Sequence, residues 1–227
     1  MTILQVSVAT ADEARAAIAA GATALVAAAH SGPSPAPVSA DVLSAIVEAA
    51  DGRAEVAAFG GDLAPDGLAN LVSAGADALV LPVPQGDAGP ALLSQAGRTL
   101  ATKTKLVAAF PPEAGPDFEL VPVAAMAGFY GVWLAAPESA GALTEAVELA
   151  DIARFVAAAR RARLAVGLAG GLRVVDVGTL LPLRPDHLGF RAAVSEDEDP
   201  ARPLDPARVR AVAAAFAIHS VRPAPEA

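Results

Sequence analysis

The stretch whose reading decides the fold is residues 164–194, LAVGLAGGLRVVDVGTLLPLRPDHLGFRAAV. An apolar run over 164–168 opens into Ala169-Gly170-Gly171. A short helix-like segment follows, and a second strand-like run ends in Gly189-Phe190-Arg191. Two successive strands with glycine at their C-terminal ends, and an arginine beyond the second, are what the last two units of a phosphate-binding (β/α)8 barrel look like. Glycine lets backbone N–H groups approach an anion with no Cβ in the way, and arginine can fork onto phosphate. The same residues have a plainer use, in which the glycines make a tight strand-to-helix turn and Arg191 pairs with a nearby carboxylate.

Working outward, short apolar runs alternate with helical patterns along the whole chain. Strands are expected at 3–8, 24–28, 55–59, 78–82, 105–109 and 131–134, ahead of the two in the opening stretch. Helices are expected at 12–20, 40–50, 66–74, near 90–100, at 120–126, over a long 143–161, and at 206–218. Ser39 reads as the N-cap of the helix over 40–50, and Gly21 as the stop of the one before. That makes eight strand–helix units without a composition break, one domain over 1–220 followed by a polar, proline-containing tail at 221–227 expected to fray. Repeated crossovers demand a parallel sheet, and continuous apolar strands suit one covered on both faces. No G-x-G-x-x-G follows the first strand, so a single closed barrel is favoured over an open doubly wound sheet. Ala20-Gly21-Ala22-Thr23 and Ala74-Gly75-Ala76-Asp77 echo one another, and a helix stop used twice suffices to explain it.

Composition narrows the function. Hydrophobic residues make up 54% of the 227, yet no apolar run approaches the roughly 18 residues that span a bilayer. The excess is largely alanine, a good helix former. The N-terminal segment lacks a basic region of the signal-peptide kind and reads directly into a strand and helix. Sixteen basic against 25 acidic residues, net −9, argue against a nucleic-acid partner, which needs a basic stripe. The absence of cysteine removes disulfides, thiolate catalysis and thiolate zinc sites. These features fit a cytoplasmic protein that acts on small molecules and not on membranes.

Read as a whole, the chain resembles the (5-formylfuran-3-yl)methyl phosphate synthase family of methanofuran biosynthesis. The resemblance rests on Ile3-Leu4-Gln5-Val6-Ser7, the glycine-led second strand, Gly61-Asp62 and Ala108-Ala109. It is strongest in Leu168-Ala169-Gly170-Gly171 and Gly189-Phe190-Arg191-Ala192-Ala193, with Asp205 before the last helix. It implies a (β/α)8 barrel that condenses two molecules of glyceraldehyde 3-phosphate through lysines inside the barrel, with no cofactor. Where the family carries Asp-Val-Lys-Asn-Pro at the end of the second strand, this chain has Val26-Ala27-Ala28-Ala29-His30. Val80 stands where the fourth strand should carry a lysine. Leu134-Ala135-Ala136-Pro137-Glu138 stands where the sixth leads to an aspartate and a lysine. The only lysines are Lys103 and Lys105, at the start of the fifth strand and hence at the end of the barrel opposite an active site. Arginine cannot replace them in Schiff-base chemistry, because its guanidinium stays protonated.

The remaining candidates are few. Gly170, Gly171 and Arg191 are expected to hold phosphate, although the run Ser195-Glu196-Asp197-Glu198-Asp199 beside them is strongly acidic; such runs are usually solvated. Asp62 offers a general base or a helix cap. His30 offers an acid/base group at the barrel mouth or is a solvated loop histidine. Glu113, Asp117 and Glu138 are loop carboxylates on the same expected face, but no H-x-H or H-x-x-E spacing makes a metal site with His30. His187 and His219 are expected away from the mouth, and Trp133 is expected to pack. The partner expected is a phosphorylated small molecule. The alternative is a noncatalytic subunit or scaffold with a protein partner, or a homo-oligomer.

Overall fold

A computed structural model of the chain describes residues 1–32, 34–112, 118–136 and 141–220. Glu113, Asp117 and Glu138, and the tail expected after residue 220, lie outside the described residues.

Eight parallel strands close into a barrel in chain order: β1 (Ile3–Val8), β2 (Ala24–Ala27), β3 (Glu55–Phe59), β4 (Ala78–Pro82), β5 (Lys105–Phe110), β6 (Gly131–Ala135), β7 (Ala165–Ala169) and β8 (His187–Phe190). The closing pair is β1 with β8, in the register Gln5 to Gly189 and Val6 to Phe190, so the open-sheet alternative falls away. Helices α1 (Ala11–Ala19), α2 (Ala40–Ala50), α3 (Pro65–Ser73), α4 (Ala88–Leu100) and α5 (Leu120–Met126) return the chain between the first six strands. Helices α6 (Leu143–Ala146), α7 (Leu149–Arg161), α8 (Asp176–Leu180) and α9 (Pro206–Ser220) complete the outer ring. Ser39 caps α2 by accepting from the Val42 N–H at 3.3 Å, and Thr10 caps α1 by accepting from Glu13 at 3.2 Å.

One expected element is not continuous. The helix over 143–161 is two, because Val147 takes an extended conformation (φ −133°, ψ 133°) and buries its branched side chain in the core. Glu148, also extended, then starts α7. Elsewhere the observed ends differ from the expected ones by a residue or two, the ordinary uncertainty of helix and strand termini.

Side chains alternate along each strand between two cores. Leu4, Val6, Leu25, Leu79, Leu106 and Leu168 belong to the large core under the helices. Val26, Ala57, Ala78, Val80, Val107, Ala109 and Trp133 form a separate cluster along the barrel axis. Barrels of this kind usually fill that axis with bulky branched residues. Here the cluster has as many alanines as valines, and Trp133 supplies the bulk. A Cβ built on Gly167 would run into the Trp133 indole, so the ring lies directly on the β7 backbone. Space remains on both sides of it. A cavity of about 110 Å³ opens at the C-terminal mouth, and one of about 20 Å³ lies beneath. Among the described residues, no helix is long and apolar enough to cross a membrane.

Candidate functional site

The mouth cavity gathers residues from all eight strands and from loops that follow them. Gln5 and Ser7 alternate on β1 and both point into it. His30, two residues beyond the end of the second strand's apolar run, turns back over the cavity, where its Nε2 lies 2.7 Å from Ser7 Oγ. It is therefore not the solvated loop histidine. Burial, helped by the nearby Arg191 guanidinium and opposed by Glu13, lowers the His30 pKa to about 4, so the imidazole is neutral at pH 7. The walls are apolar: Val26, Ala28, Val80, Ala109 and the rings of Phe59 and Trp133.

Gly170 and Gly171 lie at the rim with φ of +105° and +54°, as a tight turn out of β7 requires. A Cβ on Gly170 would strike the backbone of Ala136, and one on Gly171 would strike that of Gly141. The chain's own packing thus demands both glycines. Among the described residues, no backbone carbonyl accepts from the N–H of either. Asp176 holds this turn in place: its carboxylate accepts from the Arg173 N–H and from Thr144 Oγ1, both at 2.8 Å. Gly171 also borders an outer hollow of about 450 Å³, shared with Ala192, Ala193 and Arg173.

Arg191 reaches the rim, but its fork is engaged. Nε donates to Pro200 O at 2.8 Å; Nη1 donates to Ser7 O at 3.2 Å and Glu13 Oε2 at 2.9 Å. Nη2 donates to Glu13 Oε1 at 3.2 Å and Arg202 O at 2.9 Å. All five N–H groups of the guanidinium are matched. The pair is buried, with the two side chains 5% and 12% exposed. Glu13 in turn accepts from the N–H groups of Ala9 and Leu204. The carboxylate partner is thus the arrangement present, and Arg191 shapes the rim by holding the ends of β1 and β8 together. The acidic run nearby pairs outward, Glu196 and Asp197 with Arg202 and Glu198 with Arg208.

Asp62 is exposed beside a separate groove that shares Phe59 and Ala135 with the mouth and does not line the central cavity. It caps nothing: α3 begins after Ala64, with no side chain bonded to its first turn.

The lysines lie at the other end. Lys105, the first residue of β5, is 3.0 Å from Glu55 Oε1 and sits over the Tyr130 ring at 4.9 Å. The Glu55 carboxylate raises its pKa, which keeps the ammonium charged. Lys103 is exposed in the turn before β5. His187, the first residue of β8, borders the lower cavity; burial lowers its pKa and leaves Nδ1 without a partner among the described residues. His219 packs α9 against Gly178 of α8. Among the described residues, no three His, Asp or Glu side chains converge as a metal site.

Gln5 and Ser7 did not stand out as site residues in the sequence. The signal was there: two polar residues at alternate positions of an otherwise apolar strand, hence on one face of it.

This geometry defines a (β/α)8 barrel with an open cavity at the C-terminal ends of the strands, the end where barrels of this kind carry their sites. Solved barrels agree on the fold. Phosphoribosyl anthranilate isomerase from Thermus thermophilus superposes with a TM-score of 0.73 at 20% identity, covering 96% of this chain and 99% of that one. 3-Hexulose-6-phosphate synthase from Salmonella typhimurium gives 0.68 at 17% identity over 96% and 100%. The family is more specific: residues 4–213 match the model for 4-HFC-P synthase. A provisionally named (5-formylfuran-3-yl)methyl phosphate synthase of Methylorubrum extorquens is 31% identical over 192 residues, 82% of this chain and 78% of that protein. The chain belongs to the 4-HFC-P synthase family of methanofuran biosynthesis, whose substrate is a phosphorylated, sugar-derived small molecule.

Proposed function

We propose that this protein is a divergent, cytoplasmic member of its family that binds a phosphorylated small molecule at the barrel mouth but does not carry out lysine-dependent condensation alone. The observation that carries this reading is the position of the amines. A Schiff base needs an unprotonated amine within reach of the substrate carbonyl. Lys105 is charged and paired with Glu55 at the far end of the barrel, and Lys103 lies in the turn beside it.

In this reading the N–H groups of Gly170 and Gly171 meet the phosphate at the rim. Arg191 acts from behind, as the group that positions the rim, since Glu13 takes its fork. His30, neutral and bonded to Ser7, is the group able to accept or relay a proton at the mouth. Asp62 contributes only from the outer groove.

The test is to incubate the protein with glyceraldehyde 3-phosphate, add borohydride, and measure mass, product and thermal shift. A thermal shift without adduct or product is the expected result. An adduct on Lys103 or Lys105 overturns the reading. With no shift either, the chain is better described as a noncatalytic subunit or scaffold for an enzyme of the same pathway.

A further inference from the structure

The mouth cavity contains a polar group that the reading above does not use. The Gln5 side chain is buried, with the residue 4% exposed, and it borders both the mouth cavity and the small one beneath Trp133. Its carboxamide opens onto that space, and among the described residues no protein group hydrogen-bonds it. A side-chain amide facing a cavity is satisfied by water or by a ligand. Gln5 therefore fits a site that a ligand completes.

The charge of the cavity says what kind of ligand. Among the described residues, every polar side chain that lines it is uncharged at pH 7 except Arg191, whose charge is matched by Glu13. The His30 imidazole is neutral, Ser7 and Gln5 carry no charge, and the lysines are at the opposite end. An anion at the cavity floor would lose its hydration against alanine, valine and aromatic walls and gain no cation. A small neutral group loses little there. With a volume of about 110 Å³ the cavity far exceeds the roughly 10–15 Å³ that one water needs.

We infer that the floor of the mouth cavity binds the uncharged, carbonyl-bearing end of a small, largely apolar ligand, and that Gln5 is the residue that selects it by donating its amide N–H to the carbonyl oxygen. Ser7 and His30 lie on the same side and complete a neutral polar strip along β1. The inference rests on the proposed placement of ligand at the mouth, but not on the phosphate contacts at the rim.

The single tryptophan lines this cavity, so its fluorescence reports occupancy directly. The probes are cyclopentanone and methylenecyclopentane, which differ only in C=O against C=CH2, with glyceraldehyde 3-phosphate and inorganic phosphate as separate arms. Cyclopentanone is expected to change the Trp133 emission saturably and to bind about tenfold more tightly than the alkene, the worth of one hydrogen bond. Gln5→Leu, or the closer isostere Gln5→Met, removes that preference while leaving alkene binding unchanged. Equal binding of the two probes to the unaltered protein overturns the inference, as does a ketone preference that survives in either variant. If neither probe binds but glyceraldehyde 3-phosphate still gives a thermal shift, the selection by Gln5 fails and the rim reading stands. If no arm binds, both fall.

Discussion

The two ends of the barrel are built from the same eight strands and carry opposite chemistry. At the N-terminal end are Lys105, Glu55, Tyr130 and His187, a charged and aromatic cluster in which the amine is tied to a carboxylate. At the C-terminal mouth are Gln5, Ser7 and His30, neutral groups among apolar walls, with the Arg191 cation there matched by Glu13. Trp133 separates the two and borders both. The lesson is that shape and charge are held by different residues: the glycine turn out of β7 and the tie between the ends of β1 and β8 form the mouth, and the lysine amines lie at the other end.

The sharpest way to break this contrast is to put an amine at the mouth. Ala28 lines the cavity and is 1% exposed. In Ala28→Lys the apolar walls should depress the lysine pKa and free its amine, raising the borohydride-trapped adduct with glyceraldehyde 3-phosphate about a hundredfold or more over the unaltered protein. Mass spectrometry locates the adduct. An equal yield from both proteins would show that the missing amine is not what limits the chemistry.

The next largest effect is on stability. Glu13→Ala leaves the Arg191 guanidinium buried without its carboxylate, which should cost about 3–5 kcal/mol in urea unfolding. A loss of less than about 1 kcal/mol, typical of exposed pairs, would mean that the rim is not held by this contact. Gly170→Ala forces a Cβ into the Ala136 backbone at a positive φ and should cost about 1–3 kcal/mol with no ligand present. Unchanged stability there would return the glycine to a purely ligand-binding role.

The pH dependence sharpens the neutral character of the mouth. His30 has a folded pKa near 4, below the unfolded value of 6.5, so the unfolded chain binds its proton first as pH falls. Its contribution to stability is complete above about pH 6.5 and is lost between there and about pH 4. His187 is lowered in the same direction. His30→Asn should flatten only part of the slope, and an NMR titration placing the His30 midpoint above 6 would refute the burial argument. The smallest effect belongs to the other end: Lys105→Met should change stability by less than about 1 kcal/mol, since its pair with Glu55 is exposed, and should leave the response of Trp133 emission to a mouth ligand unaltered.

The fold was legible because each strand is a short apolar run entered after a glycine or turn and left through one, a pattern that depends only on neighbours. The break at Val147 was not legible, since helical spacing continues through it and only tertiary packing turns that side chain inward. Of the candidate residues, His30, Gly170, Gly171 and Arg191 were read from their place after strands, and all four line the mouth cavity. Their partners were not. Nothing near Arg191 in sequence points to Glu13, and nothing near His30 points to Ser7. Asp62 was placed on the right end of the barrel but one groove away from its centre, because chain position after a strand does not fix the direction a loop takes.

The Glu13–Arg191 pair joins positions 178 residues apart. No smaller set of units can form it: a chain with seven strands in place still has its first and last edges apart. The contact is thus a latch on circularity, made once and only when the ring is whole. Its loop-closure entropy is among the largest any contact here can incur, and contacts of such long range are the late, slow ones in folding. The rim of the mouth cavity is built from that latch. A half-assembled barrel consequently has no complete mouth, so the cavity is a property only of chains that have finished closing.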